Sequence, residues 1–218
     1  MSRVSHYSNE RTIGIIGLGS KAIYPIDVDE WGVIIMDSLE TTYARIKADG
    51  KRCRAVIANA SSTATGLHEP LVAMGEFCQK YNLWFHVDAC HGATALLSKA
   101  SKHYFKGVEL ADSFVWDAHK MMQVPVLCAA ALFRSAKDLD AAFHQEASYL
   151  AYFENREGFA FIQRTVECTK SSLGLKIFLN IAFRGEQALG EFVDERYGMT
   201  KVFHSLLSQH EILCTLRA

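Results

Sequence analysis

The sequence predicts an α/β protein whose mostly parallel sheet is covered by helices on both faces. Two short runs, 83–87 and 113–116, are apolar at nearly every position, as strands are when both faces of a parallel sheet are buried. Strand-like runs also alternate with helix-like segments along the chain, which is typical of consecutive βαβ units. Several doubly wound folds share this alternation, so the pattern predicts the class without choosing among its members.

Local patterns predict each element in chain order. Helical periodicity and end signals predict helices over 9–16, 36–48, 68–81, 136–145, 171–183 and 186–209. Apolar runs predict strands over 22–28, 54–60, 83–87, 113–116, 126–133 and 212–216, with the strand over 126–133 buried. The linker after Asp88 is long enough for a further helix. Together these elements give the strand-then-helix order of a parallel sheet.

Composition and charge exclude several classes of function. Of the 218 residues, 50% are hydrophobic and 22% are charged, which are ordinary values for a globular protein with a sizeable core. The net charge of -1 indicates no basic surface for nucleic acid or for an anionic membrane. The longest apolar run, 124–133, is shorter than the roughly 20 residues that span a bilayer.

The N-terminus and the cysteines indicate the compartment. The first residues are polar and lack the apolar segment of a signal peptide, so none is expected. Six scattered cysteines without a Cys-x-x-Cys motif favour a reduced protein, and we expect a cytoplasmic one.

Polar residues follow both buried runs at the point where each strand would end. Asp88 ends the first run, and Asp117, His119 and Lys120 follow the second. Because ligands bind at the carboxyl ends of strands in open α/β sheets, an acid and a lysine are expected to meet in one crevice. Enzymes that use pyridoxal phosphate need this pair, a lysine that holds the cofactor covalently and an acid that keeps its ring nitrogen protonated.

The spacing of these residues resembles a known enzyme family. His86-Val87-Asp88-Ala89, followed by Asp117-x-His119-Lys120, is similar to the pyridoxal-dependent group II amino-acid decarboxylases, which include the glutamate, cysteine-sulfinate and aromatic amino-acid decarboxylases. The run 120–128, with its methionines, Pro125 and a final cysteine, is similar to the glutamate and cysteine-sulfinate branch.

The resemblance implies a fold, a reaction and partners. The fold would be the aspartate-aminotransferase-like large domain, called fold type I, over 1–184, followed over 185–218 by a linking helix and the start of a small C-terminal domain. The reaction would be decarboxylation of an L-amino acid to the corresponding amine and carbon dioxide, with pyridoxal 5'-phosphate as cofactor. Family members are dimers, so a homodimer is expected, with a small amino acid as substrate and neither nucleic acid nor membrane as partner.

The resemblance also assigns the cofactor site. Lys120 would carry the cofactor, Asp88 would hold the ring nitrogen, and His6, in a segment similar to the family's His-Tyr-Ser, would stack on the ring. Further contacts are implied for four residues: Ser62, Thr63, Asp117 and His119, the last two near the phosphate. Family members usually carry Gly-Thr-Thr where this chain has 61–63, and a polar turn that caps the next helix is an equally open interpretation of that segment.

Two further assignments concern catalysis on the substrate. Tyr149 lies in a segment similar to the mobile catalytic loop of the branch, and it would deliver a proton to the substrate α-carbon, so that Lys120, Tyr149 and His6 form the implied catalytic set. Lys170 falls where the branch carries an arginine for the substrate α-carboxylate. It keeps the charge but loses the two-pronged geometry, and Arg164 is the competing candidate.

Three departures from the branch affect the substrate and the completeness of the site. Leu127 stands where the branch commonly has a glutamine, and His91 replaces its usual aromatic residue. The chain corresponds to the middle and later half of a family member, without the early Gly/Ser turn that holds the cofactor phosphate. An inactive fragment or pseudoenzyme, acting as a dimerisation partner or without function, is therefore the alternative interpretation.

A metal site is a second alternative from a different class of enzyme. His86, Asp88 and His91, with Asp117 and His119 nearby, could supply nitrogen and oxygen ligands for zinc or iron. His91 lies beyond the end of the strand that carries the other two, so one compact site is not assured, and no metal is expected.

Overall fold

The protein is built around a four-stranded, mostly parallel sheet. The structure is a computed structural model that describes residues 1–143, 164–167 and 170–210. In spatial order the strands are β1 (Ala55–Asn59), β2 (Trp84–Asp88), β3 (Ser113–Asp117) and β4 (Ala129–Phe133). The first three strands run parallel and β4 runs antiparallel to β3. This architecture confirms the predicted α/β class.

Helices cover this sheet and agree well with the sequence patterns. They are α1 (Tyr7–Ile15), α2 (Met36–Ala48), α3 (Leu71–Tyr81), α4 (Ala136–Phe143) and α5 (Leu173–Leu207). The prediction began α3 three residues too early, because Pro70 is its N-cap and a residue before proline avoids helical geometry. Among the described residues, no helix combines the length and the apolarity that crossing a bilayer needs.

The core lies between α3 and the parallel strands β1 and β2. Val56 of β1 and Phe85 and Val87 of β2 are buried, and they pack with Met74 and Cys78 of α3. Each side chain of this size contributes roughly 1.5–3 kcal/mol when it is removed from water. The predicted apolar face of α3 is thus the face that anchors the helix on the sheet.

The strand predicted over 22–28 does not form. Its first residue ends a short 3-10 helix, Ser20–Ala22, and Ile26 and Val28 make only isolated bridges, to Ser2 and Ile34. A strand needs neighbours for its backbone hydrogen bonds, and Pro25 has no N–H to offer one. The prediction was wrong because periodicity shows a preference for extended chain but not whether a partner strand is available.

The linker between β2 and β3 is not a helix either. It contains three short 3-10 helices, Ala93–Leu97, Lys102–Phe105 and Val108–Leu110. Gly107, with a φ of 101°, separates the last two and lies so close to α3 that a Cβ there would sit 2.4 Å from the backbone nitrogen of Val72. The left-handed turn and the close approach to α3 both require glycine, so a continuous helix cannot pass through this position.

Strand β4 is shorter and more exposed than predicted. It spans five residues, and Leu132 remains 50% exposed. The preceding Val126 and Leu127 are also largely exposed. Because β4 pairs only with β3 in the described chain, it is an edge strand, and the expectation of a buried strand over 126–133 was wrong.

The last helix consists of two segments, as the sequence predicts. Gly185 has φ 79° and ψ 155°, a non-helical conformation that breaks α5. After the break, Leu189 and Val193 are buried, whereas Phe203 and Leu206 are exposed. The strand expected over 212–216 lies outside the described residues, and the domain boundary at 184 stays a prediction.

The second segment of α5 is fixed to the linker by close packing and by hydrogen bonds. Asp194 accepts hydrogen bonds from the hydroxyls of Ser98 and Ser101. Beside it, Gly190 lies against the backbone of Leu97, where a Cβ would come within 2.5 Å of the carbonyl oxygen. This contact has no room for any side chain.

We expect Gly190→Ala to lower the free energy of unfolding by more than about 2 kcal/mol, because the methyl group must displace the backbone at Leu97. Gly198→Ala is the matched control in the same helix, since nothing lies within 4 Å of its position. There, alanine should be neutral or stabilising by up to about 1 kcal/mol. Urea unfolding of both variants checks this, and equal stability changes would contradict the packing described.

His68 should make stability depend on pH. Both ring nitrogens are buried without a hydrogen-bond partner in the described chain, and the ring packs against Tyr104 and Phe105. Burial, assisted by His103 and His91, lowers the pKa of His68 to about 4. The unfolded chain, with a histidine pKa near 6.5, therefore binds the proton first, and stability falls as the pH drops from about 6.5 towards 4.

We expect His68→Phe to keep the ring packing and to remove this dependence. Relative to the unmodified chain, the variant should gain on the order of 2 kcal/mol in unfolding free energy between about pH 7.5 and pH 4.5. Urea titrations of both proteins at the two pH values measure the difference. A difference that stays constant with pH would show that His68 does not titrate in this way.

Candidate functional site

A polar cavity lies at the edge of the sheet where β1, β2 and β3 end. Its volume is about 250 Å³. The parallel register places Asn59, the last residue of β1, beside Asp88, the last residue of β2. Ten residues line the cavity: His6, Ser8, Asn59, Ser61, Thr63, Asp88, Cys90, His91, Asp117 and Lys120. Five of them, His6, Thr63, Asp88, Asp117 and Lys120, are cofactor-site residues that the sequence predicts.

Lys120 reaches this cavity from the turn after β3. The turn is closed by the Lys120 backbone N–H, which donates to the carbonyl of Asp117 at 3.1 Å. The Lys120 Nζ lies 2.8 Å from Oδ2 of Asp117, whose side chain is only 16% exposed. Asp117 therefore holds the lysine amine at the cavity wall, where a ligand can reach it.

Asp88 is the buried acid of the site, with 9% of its surface exposed. Its backbone is fixed on both sides, since its carbonyl accepts from Ala60 N–H at 2.8 Å and the next N–H, of Ala89, donates to Val115 at 3.1 Å. The carboxylate accepts hydrogen bonds from the side-chain amide of Asn9 and from the backbone N–H of Cys90, each at 3.2 Å. The sequence prediction missed Asn9, because one asparagine on an exposed helix has no distinguishing pattern.

His6 lies at the mouth of the cavity as the N-cap of α1. Its Nδ1 accepts from the backbone N–H of Ser8 at 3.3 Å and lies 2.7 Å from the Ser8 hydroxyl oxygen. These contacts fix the ring relative to the helix. The histidine and the acid are thus brought to one cavity by α1 and β2.

The segment after β1 agrees only in part with the prediction. Ser61 and Thr63 line the cavity, but Ser62 does not. The Ser62 hydroxyl is buried and has no partner in the described chain. The capping interpretation is wrong, because α3 begins at Leu71 and its N-cap, Pro70, makes no side-chain hydrogen bond. The approach of this segment to the turn after β2 needs Gly92, where a Cβ would lie 2.8 Å from the nitrogen of Ser61.

Asn59 and Glu69 form a buried support beneath the cavity that the sequence prediction also missed. Glu69 accepts the backbone N–H of Asn59 at 2.8 Å and its side-chain amide at 3.0 Å. Burial raises the pKa of Glu69, opposed by these hydrogen bonds. The pair fixes the end of β1. Of the two residues, only the uncharged Asn59 lines the cavity.

Cys90 and His91 complete the wall between the acid and the lysine. Burial, followed by the charges of Asp88 and Asp117, raises the pKa of the Cys90 thiol, so it stays protonated at neutral pH. Burial and the charge of Lys120 lower the pKa of His91, so this ring stays neutral there. Both residues therefore add polar but uncharged groups to the cavity.

The described residues do not support the metal interpretation. His86 is turned away from the cavity, with its Nδ1 2.7 Å from the hydroxyl of Ser113. Within 1–143, 164–167 and 170–210, no group of three or more histidine, cysteine, aspartate or glutamate side chains could hold a metal ion.

Besides Ser62, three predicted or competing site residues do not line the cavity: His119, Lys170 and Arg164. His119 lies directly behind the lysine, with Nδ1 2.7 Å from the carbonyl oxygen of Cys128 and Nε2 3.7 Å from Asp117. Lys170 pairs with Glu167 at 3.1 Å, and Arg164 pairs with Asp140 at 3.0 Å. Tyr149 lies outside the described residues.

A larger cavity of about 440 Å³ follows the open edge of β1. Its walls are mainly apolar, from residues such as Ile26, Leu39, Val56 and Phe77. Among the described residues that line it, no acid and lysine form a pair comparable to Asp88 and Lys120. The chemistry therefore favours the smaller, polar cavity as the functional site.

The residues of the polar cavity fit pyridoxal phosphate. An accessible amine at Lys120 and a buried carboxylate at Asp88 face one space, as the cofactor's aldehyde and ring nitrogen require.

Comparison with known proteins agrees with this chemistry. Cysteine sulfinic acid decarboxylase of Mus musculus is 30% identical over 213 residues, which cover 96% of this chain and 43% of the relative. L-2,4-diaminobutyrate decarboxylase of Acinetobacter baumannii is 30% identical over 202 residues, which cover 92% of this chain and 39% of the relative. The chain thus spans less than half the length of these curated relatives.

Solved structures show the same fold. The crystal structure of mouse CSAD superimposes with a TM-score of 0.88 at 28% identity, covering 96% of this chain and 44% of that chain. The pyridoxal-dependent decarboxylase conserved domain matches residues 1–215. The predicted fold type I architecture is therefore confirmed, and the chain belongs to the pyridoxal-dependent decarboxylase family.

Proposed function

We propose that this chain carries the cofactor site of an enzyme that decarboxylates an L-amino acid to the corresponding amine and carbon dioxide. The observation that carries the proposal is the meeting of Lys120 and Asp88 in one polar cavity at the carboxyl edge of the sheet. The same acid and lysine are the pair that the resemblance predicts. An inactive fragment is not favoured over this function, because both groups are present and accessible to one ligand.

Different residues of the chain would hold different parts of the cofactor. Lys120 would condense with its aldehyde, with loss of water, and Asp117 holds the lysine side chain in place before that step. Asp88 would keep a proton on the ring nitrogen, because a nearby negative charge favours the protonated ring. His6 would cover one face of the ring, and Thr63 would contact it from the turn after β1. Pyridoxal phosphate, once bound, supplies an electron sink for the electron pair that remains when a carboxylate leaves as carbon dioxide.

Contacts to the substrate are proposed for Lys170 and Tyr149. Lys170 is exposed and paired with Glu167, so it could bind a carboxylate only after exchanging that partner. Tyr149 is proposed as the donor of the proton to the α-carbon on the strength of the resemblance alone. The relatives are named for cysteine sulfinic acid and for L-2,4-diaminobutyrate, which differ in charge, and we propose a small amino acid as substrate.

We also propose that the protein acts as a cytoplasmic homodimer. Four apolar side chains of the first segment of α5 face solvent: Leu175, Phe178, Leu179 and Phe183, the last of which is 95% exposed. An apolar helix face of this kind is typical of a surface that another subunit covers. The four cysteines in the described part of the chain, Cys53, Cys78, Cys90 and Cys128, are free thiols, which supports a reducing compartment.

We expect Lys120→Ala to abolish covalent cofactor binding, because no other amine of the described residues lines the cavity. The measurement is the visible absorption of the chain with pyridoxal phosphate, followed by borohydride reduction and peptide mapping. Lys137→Ala, which removes an exposed lysine outside the cavity, is the control and should keep the band. Recovery of the reduced cofactor on another residue would refute the assignment of Lys120. If the unmodified chain forms no band, the proposed function itself fails.

We expect Tyr149→Phe to reduce decarboxylation far more than cofactor binding, since phenylalanine keeps the ring but cannot donate a proton. General acid catalysis typically contributes about 10²–10⁴-fold to a rate. Carbon dioxide release and the dissociation constant of the cofactor, measured on the same preparation, separate the two effects. An equal loss of both would show that Tyr149 acts on the cofactor and not on the substrate.

A further inference from the structure

Helix α1 is held beside the cavity mainly by one polar contact. None of its residues, all of which are described, is buried, and only Asn9 and Ile13 are even half-buried. Among the described residues, the hydrogen bond from the Asn9 side-chain amide to Oδ2 of Asp88 is the only one that joins a side chain of α1 to another element. The helix that carries His6 at its N-cap is therefore tied directly to the acid of the site.

The same contact sets the environment of Asp88. Its two carboxylate oxygens accept from opposite directions, Oδ1 from the backbone N–H of Cys90 and Oδ2 from Asn9. Two donors on different oxygens fix the plane of the carboxylate, and each oxygen keeps a second lone pair for a ligand.

We propose that Asn9 is a positioning residue that keeps the Asp88 carboxylate oriented towards the cofactor ring nitrogen. It would at the same time hold His6 in register with Asp88, because His6 is the N-cap and Asn9 lies in the first turn of one short helix. This inference rests on the proposed function. Asn9 does not line the cavity and would act through Asp88.

Removing the Asn9 amide should lower the degree to which the cofactor ring nitrogen is protonated. Without the Asn9 amide, one oxygen of a nearly buried carboxylate loses its partner, so the carboxylate is no longer held in one plane and favours the protonated ring nitrogen less. Cofactor affinity should also fall, on the order of tenfold, because the hydrogen bond between the Asp88 carboxylate and the ring nitrogen is then less well aligned. Both effects are measurable without any turnover of substrate.

The test compares Asn9→Leu with Asn9→Gln, which are similar in size and in helix propensity and differ in the amide group. Each chain is loaded with pyridoxal phosphate labelled with ¹⁵N at the ring nitrogen, and the ¹⁵N chemical shift reports whether that nitrogen is protonated. In Asn9→Leu the signal should move towards the unprotonated position, and in Asn9→Gln it should stay closer to that of the unmodified chain. Thr12→Ala, at an exposed position of the same helix, should leave the signal unchanged.

The outcomes separate this inference from the function on which it rests. One outcome is that the unmodified chain binds the cofactor on Lys120 while Asn9→Leu shows the same ¹⁵N shift and the same affinity. That result would overturn the role of Asn9 and leave the proposed function intact. Equal changes in Asn9→Leu and Asn9→Gln would show that shape matters and not the hydrogen bond, which also overturns it. Unmodified chain that binds no cofactor would overturn both. Thermal unfolding of each variant identifies any general loss of folding.

Discussion

The parallel pairing of β1, β2 and β3 is the constraint on which the site depends. Parallel strands end at the same edge of a sheet, so a residue at the end of each strand reaches a common space, whatever its distance along the chain. Asn59 and Asp88 are direct partners in the register, and Asp117 ends the next strand. The apolar core beneath them, from Val56 and Phe85 against α3, fixes that register, since a slip of one residue would turn these side chains out of the core.

The turn after β3 places the reactive amine of Lys120 at this edge of the sheet. It brings the Lys120 Nζ to 2.8 Å from Oδ2 of Asp117, and the His119 N–H donates to the carbonyl of Cys128, the residue before β4. His119, which the resemblance places near the phosphate, is thus fixed against the segment that precedes β4. The antiparallel direction of β4 follows from this tight return, because a parallel neighbour would need a long crossover.

Sequence reasoning predicted the fold class, most helices and the convergence of Asp88 with Lys120, because these follow from local periodicity and from strand ends. It could not predict Asn9 on Asp88 or Glu69 on Asn59, because each contact joins polar residues whose local sequence is ordinary. Asn9 and Asp88 are separated by 79 positions, and only the folded chain shows that they meet. Ser62, which a segment-level likeness places at the cofactor, has its hydroxyl buried beside the cavity in the described chain.

The two wrong strand predictions have one cause. Residues 22–28 and 126–133 are patterned for burial between neighbouring strands, but the described chain supplies only isolated bridges to the first and one neighbour to the second. Exposed apolar groups such as Leu132, and the apolar cavity along β1, are the result. These unpaired edges lie on either side of the site, whereas Asp88 belongs to β2, which is paired on both sides. The geometry of the acid is therefore determined by strands that are present, independently of what borders the sheet.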